Sequence, residues 1–320
     1  LPTAYWHELV EHLQSSPLPP SVRLVAIGGE KASDEAWRRW DQCLGERVTL
    51  INTYGPTEAT VSTTVHVCRT GEQALPIGCP IPNVQTFILD SHLRPVRIGE
   101  VGELFIGGAG LARGYLHRPE LTAEKFVPNP LPGASSPRLY RTGDLARFRP
   151  DGEIEFVGRS DEQVKIRGYR IELGEIEAAL RQHPALKEAV VAARDDGHGK
   201  RLVAYFVPRD GASPGVSELR QFLKGMLPHY MVPAFFVPLE KVPLTPAGKV
   251  DRRSLPAPSD ARPELDHPMV PPRTPVEEVI AGIWCEVLGL NRVGVHDNFF
   301  DLGGHSLVAT QVIARVRERL

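Results

Sequence analysis

The chain has 320 residues, with 37 Lys and Arg against 39 Asp and Glu for a net charge of −2. That length predicts two domains at roughly 150 residues each, and the near-neutral balance supplies no basic field for nucleic acid or an anionic membrane surface. With 42% hydrophobic and 24% charged residues the composition is that of a soluble globular protein. No run approaches the roughly 18 apolar residues of a membrane-spanning helix. The 29 Gly and 30 Pro follow no collagen-like period, so they predict shaped loops and short stiff linkers.

The first residues, Leu1 to Trp6, carry neither an initiator Met nor a basic start, and read as a fragment edge rather than a signal peptide. The pattern then predicts a helix over 3–16, capped by Thr3, with Trp6, Leu9, Val10 and Leu13 on one face. Leu24 to Ile27 reads as a buried strand stopped by Gly28-Gly29. Ser33 opens a helix with Trp37, Trp40 and Leu44 that Gly45 closes, and Arg47 to Ile51 reads as a further strand. Alternating strand and helix predict an α/β layer. From about 65 to 160 the pattern changes to short strands, such as Thr86–Leu89 and Glu103–Ile106, as in a β-rich subdomain.

Residues 162–258 predict an α+β unit. It has a helix near 174–183 burying Ile176, Ala179 and Leu180, strands at 187–193 and 201–207, and a helix capped by Ser217 with Leu219, Phe222, Leu223, Met226 and Leu227 on one face. Prolines between 256 and 275 mark a semi-rigid linker. Thr274-Pro275-Val276-Glu277 then offers a capping box with Pro at the first helical position. Val276, Val279, Ile280, Ile283, Trp284, Val287 and Leu288 form the apolar face of the helix that opens a small helical domain.

Several segments carry chemistry. Cys43, Cys68, Cys79 and Cys285 are too scattered for a metal-binding pattern and predict reduced thiols in a cytoplasmic protein. No Walker pattern is present, and Gly108 to Gly114 has one residue too many for a dinucleotide fingerprint. Asn52-Thr53-Tyr54-Gly55-Pro56-Thr57-Glu58 groups an aromatic, a hydroxyl and a carboxylate around a Gly-Pro turn, suited to a planar base, a phosphate and a metal, or simply to a turn. Asp144, after Gly143, suits ribose hydroxyls and equally an Asx turn. Lys249 stands at a flexible tip, as many surface lysines do. Ser306 follows Gly303-Gly304-His305 at the start of a helix carrying Leu307, Val308, Val312 and Ile313. There it serves either as an N-cap or as an exposed hydroxyl whose phosphate would meet the positive end of the helix dipole.

Taken in order, NTYGPTE at 52–58, GELFIGGAGLARGY at 102–115, YRTGDL at 140–145, GRSDEQVKIRGYRIELGEIE at 158–177, LPHYMVP at 227–233, GKVDR at 248–252 and DNFFDLGGHSL at 297–307 resemble one family throughout the chain. The chain resembles a non-ribosomal peptide synthetase: the C-terminal portion of an amino-acid adenylation domain of the AMP-binding superfamily, followed by a truncated peptidyl carrier domain. The resemblance implies a mixed α/β and α+β fold. Residues 1–160 would be the C-terminal part of the adenylation core, with α/β layers and a β-rich subdomain. Residues 161–258 would be a small mobile α+β subdomain, 259–274 the Pro-rich linker, and 275–320 the start of a carrier four-helix bundle. The family's phosphate loop and the Asp that holds the substrate amine are expected upstream of Leu1, so that residues 1–320 alone would not adenylate efficiently.

The implied activity has two steps. An amino acid and ATP would form an aminoacyl-adenylate and pyrophosphate, and the acyl group would pass to the thiol of a 4'-phosphopantetheine arm on Ser306. Matched to the family's motifs, Asn52 and Tyr54 would hold adenine, Thr57 phosphate, Glu58 Mg²⁺, and Asp144 and Arg159 the ribose. Lys249 would bind the substrate carboxylate and α-phosphate. Asp161 would be the hinge, and Lys165 would belong to the loop that, freed by Gly168, approaches the arm. Ala26, Gly28, Thr53, Val61 and Ser62 would line the amino-acid pocket, and being small and uncharged they argue against a substrate that needs a charged partner from these positions. Ala247 stands where the family often has Asn, with little effect expected. Implied partners are the amino acid, a phosphopantetheinyl transferase and neighbouring condensation or thioesterase domains. Two other readings are a carrier module with an inactive adenylation half and a free-standing acyl-CoA ligase. The retained Glu58, Asp144 and Lys249 count against the first, and the Gly-Gly-His-Ser segment against the second.

Overall fold

A computed structural model describes residues 1–131, 136–195, 200–258 and 268–320. The stretch 259–267 of the expected linker therefore lies outside the described residues. The chain divides into two compact units, Leu1–Tyr169 and Arg170–Leu320.

The first unit opens with α1 (Thr3–Glu11), β1 (Leu24–Gly28), α2 (Asp34–Leu44) and β2 (Thr49–Tyr54). Strands β1 and β2 pair in parallel, in the register Ala26 with Ile51 and Gly28 with Thr53. Strands β3 (Thr64–Val67) and β4 (Cys79–Pro80) extend the sheet in the order β1-β2-β3-β4. Alternation along β1 and β2 buries Val25, Ile27 and Leu50, with Val48 just ahead of β2, against Trp6, Val10, Leu13, Trp37 and Trp40, one apolar layer between sheet and helices. Ser33 caps α2, accepting from the Ala36 amide at 3.3 Å.

The expected cap at Thr3 is corrected. Pro2 is the N-cap residue, Thr3 is already helical, and its hydroxyl donates to the Gly28 carbonyl at 3.0 Å. Because Thr3 lies one residue inside the helix, its hydroxyl accepts from no first-turn amide and instead donates to a tertiary acceptor at the end of β1. The helix also stops at Glu11 instead of reaching 16, and the expected strand at Arg47–Ile51 starts at Thr49, after a 3-10 turn over Gly45–Arg47.

A second sheet follows. It comprises β5 (Val84–Leu89), β6 (Gly102–Gly108), then α3 (Pro119–Lys125), β7 (Phe126–Pro128), β8 (Arg138–Phe148) and β9 (Ile154–Arg159). Its order is β5-β6-β8-β7, with β9 paired to the other end of β8. All its described pairings are antiparallel, and Ile88, Leu104, Ile106, Phe126, Tyr140, Ala146 and Ile154 form its core together with Tyr54. This is the β-rich part expected from the short, Gly-punctuated strands. A two-stranded sheet of β10 (Val164–Ile166) and β11 (Tyr169–Ile171) ends this stretch of chain.

The second unit holds α4 (Leu173–Leu180), β12 (Leu186–Asp195), β13 (Lys200–Pro208), α5 (Val216–Lys224), β14 (Phe235–Pro238), α6 (Pro275–Leu288) and α7 (Ser306–Arg319). Strand β13 is central, antiparallel to β12 and parallel to β14. Val190, Ala192, Val203, Tyr205, Val207 and Phe235 pack there with Val242 and Leu255. The capping box at α6 is present: the Thr274 hydroxyl accepts from the Glu277 amide at 3.2 Å and the Glu277 carboxylate accepts from the Thr274 amide at 3.1 Å. Helices α6 and α7 enclose Val287, Leu288, Leu290, Val293, Leu302 and Val308.

Three expectations here are corrected. Gly215, not Ser217, is the N-cap of α5, because the helix begins one residue before Ser217. Met226 is exposed, since α5 ends at Lys224 before its turn of the face is completed. Val276 and Ile313 are also exposed: α6 and α7 are covered on a stripe narrower than their apolar residues would allow.

Candidate active site and carrier segment

The first unit gathers its polar residues where β2, β8 and β9 meet. Alternation along β2 puts Asn52 and Tyr54 on the buried face and Thr53 on the other. Asp144 sits on β8 opposite Arg159 on β9. The Tyr54 hydroxyl donates to Asp144 Oδ2 at 2.5 Å, and Arg159 Nη1 pairs with the other carboxylate oxygen. Arg159 then forks onto Asp161, Nε to Oδ1 at 2.6 Å and Nη2 to Oδ2 at 2.7 Å. One guanidinium thus joins two carboxylates. Burial pushes the Tyr54 phenol well above its ordinary pKa, and the Asp144 charge adds to this, so the ring keeps its proton and acts as a donor. Burial would raise Asp161, but the Arg159 hydrogen bonds and charge and the Gln163 amide hold it below the usual carboxylate value.

Gly143 makes this packing possible. Its φ is +76°, and a Cβ would stand 2.6 Å from Arg159 Nη2 and 2.7 Å from Asp161 Oδ2. Thr142 orients the cluster: its hydroxyl donates to the Leu104 carbonyl at 2.6 Å and accepts from the Asp144 amide at 2.9 Å, and its carbonyl accepts from Arg159 at 3.1 Å. Sequence reasoning passed over Thr142, although Thr-Gly-Asp is a recognisable hydroxyl turn.

Lys165 lies over the Tyr54 ring, 5.7 Å from its centroid, a cation–π contact on one ring face. The Asn52 amide is buried and donates to the Pro76 carbonyl at 2.8 Å. Thr57 is exposed and opens a 3-10 turn over Thr57–Ala59, whose next residue, Glu58, is buried. Glu58 Oε1 accepts from the Tyr115 hydroxyl at 2.5 Å. No pattern in the sequence signals that pair, because 57 residues separate its members.

Of the expected pocket residues, Ala26, Gly28 and Thr53 share the sheet face opposite Tyr54, with Gly28 and Thr53 directly paired. Val61 is exposed, and Ser62 follows it in the loop that folds back onto Gly55.

In the second unit Lys249 is exposed on a tight turn. The Thr245 amide donates to the Lys249 carbonyl at 2.7 Å, and the Lys249 amide to the Thr245 hydroxyl at 3.2 Å. Ser306 is the exposed first residue of α7. His305, in extended conformation, is the N-cap residue, so the Ser306 hydroxyl is not used as a cap. The turn before it needs glycine: a Cβ on Gly304 would collide with the Phe299 ring.

Three family models match the chain. Residues 1–116 match the family model of AMP-binding enzymes, 175–249 that of the AMP-binding enzyme C-terminal domain, and 278–320 that of the phosphopantetheine attachment site. A linear gramicidin synthase polypeptide of Brevibacillus parabrevis is 55% identical over 300 residues, 93% of this chain and 4% of its own length. The chain belongs to the non-ribosomal peptide synthetase family.

Another relative of this synthetase chain is the dimodular nonribosomal peptide synthase of Bacillus subtilis (strain 168), 50% identical over 315 residues, 98% of this chain and 13% of its own length. Among solved structures, holo-PA1221, described as a synthetase protein containing adenylation and PCP domains bound to a vinylsulfonamide inhibitor, matches with a TM-score of 0.76 and 34% identity. That match covers 98% of this chain and 51% of the other. The amide bond synthetase McbA of Marinactinospora thermotolerans matches 79% of the chain with a TM-score of 0.67 and 28% identity. The synthetase chain thus spans a small fraction of its curated relatives and about half of these solved chains. Its mixed α/β fold is that of an adenylation portion followed by a carrier segment. No helix among the described residues is long and apolar enough to cross a membrane.

Proposed function

We propose that the chain is the part of a synthetase module that activates an amino acid with ATP as an aminoacyl-adenylate and passes the acyl group to a phosphopantetheine thiol on Ser306. The observation that carries this reading is the Tyr54–Asp144–Arg159 cluster, drawn from three separate segments of sequence. A carboxylate offers about four acceptor sites. Tyr54 and Arg159 each use one, on different oxygens, which leaves one on each oxygen for a pair of vicinal ribose hydroxyls. Arg159 and Tyr54 fix the orientation of that carboxylate, and Tyr54 brings an aromatic ring next to it for a base to stack on. Lys165 covers one face of this ring, so adenine takes the other face or displaces the lysine. Asn52 would contact adenine from the same face of β2.

Glu58 suits Mg²⁺, a hard cation that binds through one or two carboxylates together with substrate phosphates, and the exposed Thr57 hydroxyl beside it suits a phosphate oxygen. Bound there, the ion would neutralise phosphate charge. Lys249 would place its ammonium against the substrate carboxylate and α-phosphate, where negative charge is redistributed in the transition state. Asp161 would act as the hinge at the start of the mobile subdomain 161–258, and Ala26, Gly28, Thr53, Val61 and Ser62 would line the amino-acid pocket. The exposed Ser306 at the N-terminus of α7 suits modification by a phosphopantetheinyl transferase, because the helix end favours the phosphate that attaches the arm. Further partners would be neighbouring synthetase domains, such as a condensation or a thioesterase domain. All four cysteines are free, which supports a reducing compartment, the cytoplasm.

The test is amino-acid-dependent ATP–pyrophosphate exchange in the full-length protein. Lys249→Ala should lower it at least about a hundredfold without changing the thermal midpoint; exchange at the wild-type rate would refute the role. In the same protein Ser306→Ala should abolish the mass gain of the arm.

A further inference from the structure

Lys249 stands on an exposed turn, and no partner for its ammonium is found among the described residues. Its direction is therefore set by the base of the turn. The base is tied at two levels. In the backbone, Leu244 bridges Val250 and the Asp251 amide donates to the Pro243 carbonyl at 2.8 Å. Val242 and Leu255, on either side of the turn, are buried in the core of the sheet, with Val250 packed against it.

In the side chains, Arg252, three residues beyond Lys249, donates from Nη2 to Glu177 Oε1 at 2.9 Å. Glu177 is a buried residue of α4, and the same oxygen accepts from the Val191 amide of β12 at 2.9 Å. The Arg252 Nε reaches the Val191 carbonyl at 3.4 Å, and its own carbonyl accepts from Arg194 Nη2 at 3.1 Å. Arg252 is thereby locked by both side chain and main chain to a helix and a strand far away in sequence. An ion pair this enclosed contributes little net stability over an apolar pair, but it fixes position, and fixed position is what an exposed cation on a turn requires.

We propose that Glu177 and Arg252 form a brace that positions Lys249, so that the adenylation step depends on a pair that never touches the substrate. This rests on the role given to Lys249 above. A lysine displaced by about 1 Å is enough to cost about a hundredfold in rate.

The experiment measures exchange kinetics in the full-length protein with Arg252→Met, Arg252→Lys, Glu177→Gln, Lys249→Ala and the double variant Lys249→Ala/Arg252→Met. Glu177→Gln keeps an acceptor for the Val191 amide and so tests the charge without unsettling the strand. Arg252→Met and Glu177→Gln should each lower kcat by about tenfold to a hundredfold while leaving KM for ATP and for the amino acid unchanged. Arg252→Lys should recover part of the loss. The double variant should be no slower than Lys249→Ala alone. Wild-type kcat in both single variants, a change confined to KM, or a further loss in the double variant overturns the brace while the role of Lys249 stands. Wild-type exchange in Lys249→Ala overturns both.

Discussion

At the residue scale, Gly143 decides whether the cluster forms. Its φ of +76° and the two charged groups within 2.7 Å of a would-be Cβ leave no room for a side chain between Arg159 and Asp161. Gly143→Ala should destabilise the protein by more than about 1 kcal/mol and reduce exchange by displacing Arg159 from Asp144. Chemical denaturation and exchange assays check this; an alanine variant with unchanged stability and rate would show that the turn relaxes. That Gly143 bends the backbone just ahead of Asp144 was legible in the sequence, because a glycine's conformational freedom is local, although the structure places the pair inside β8. That Tyr54 and Arg159 close on that carboxylate was not, since 90 residues separate Tyr54 from Asp144. The expected cap at Thr3 shows the same limit: the helix starts one residue earlier than its local pattern placed it, and the hydroxyl donates across to Gly28.

At the element scale, helix α6 carries its own start signal. The Thr274–Glu277 box satisfies amides at the first turn from both directions, and Gly289, in left-handed conformation, ends the helix. Thr274→Ala should cost about 1 kcal/mol, read as a lower thermal midpoint for the transition that reports the carrier segment, with Thr274→Ser restoring it. An unchanged midpoint would mean that packing under α6 alone sets its stability. Most strands and helices were readable from periodicity: β1, α2, β12, β13 and α6 fall where the apolar spacing puts them. Met226 is exposed because α5 ends at Lys224, whereas Val276 and Ile313 are exposed within their helices. Periodicity marks residues able to be buried, whereas burial itself depends on how wide a stripe the neighbouring element covers.

At the scale of the whole molecule, the two units have separate apolar cores: those around Trp6, Trp37 and Trp40 and around Leu104 and Tyr140 in the first, and those around Tyr205 and around Leu302 in the second. Calorimetry of the chain should therefore resolve more than one unfolding transition; a single transition with matching van't Hoff and calorimetric enthalpies would show that the cores unfold together. By itself, the sequence determined the mixed α/β class through its periodicity, and its seven ordered motifs resembled one family and so named the residues worth testing, because periodicity and motifs are both local. Only the tertiary structure decided which of those residues meet. Tyr54, Asp144 and Arg159 become one hydrogen-bonded cluster because β2, β8 and β9 converge, and Glu177 reaches Arg252 because α4 packs beside β12. Such contacts depend on register and packing between distant segments, which no local pattern encodes.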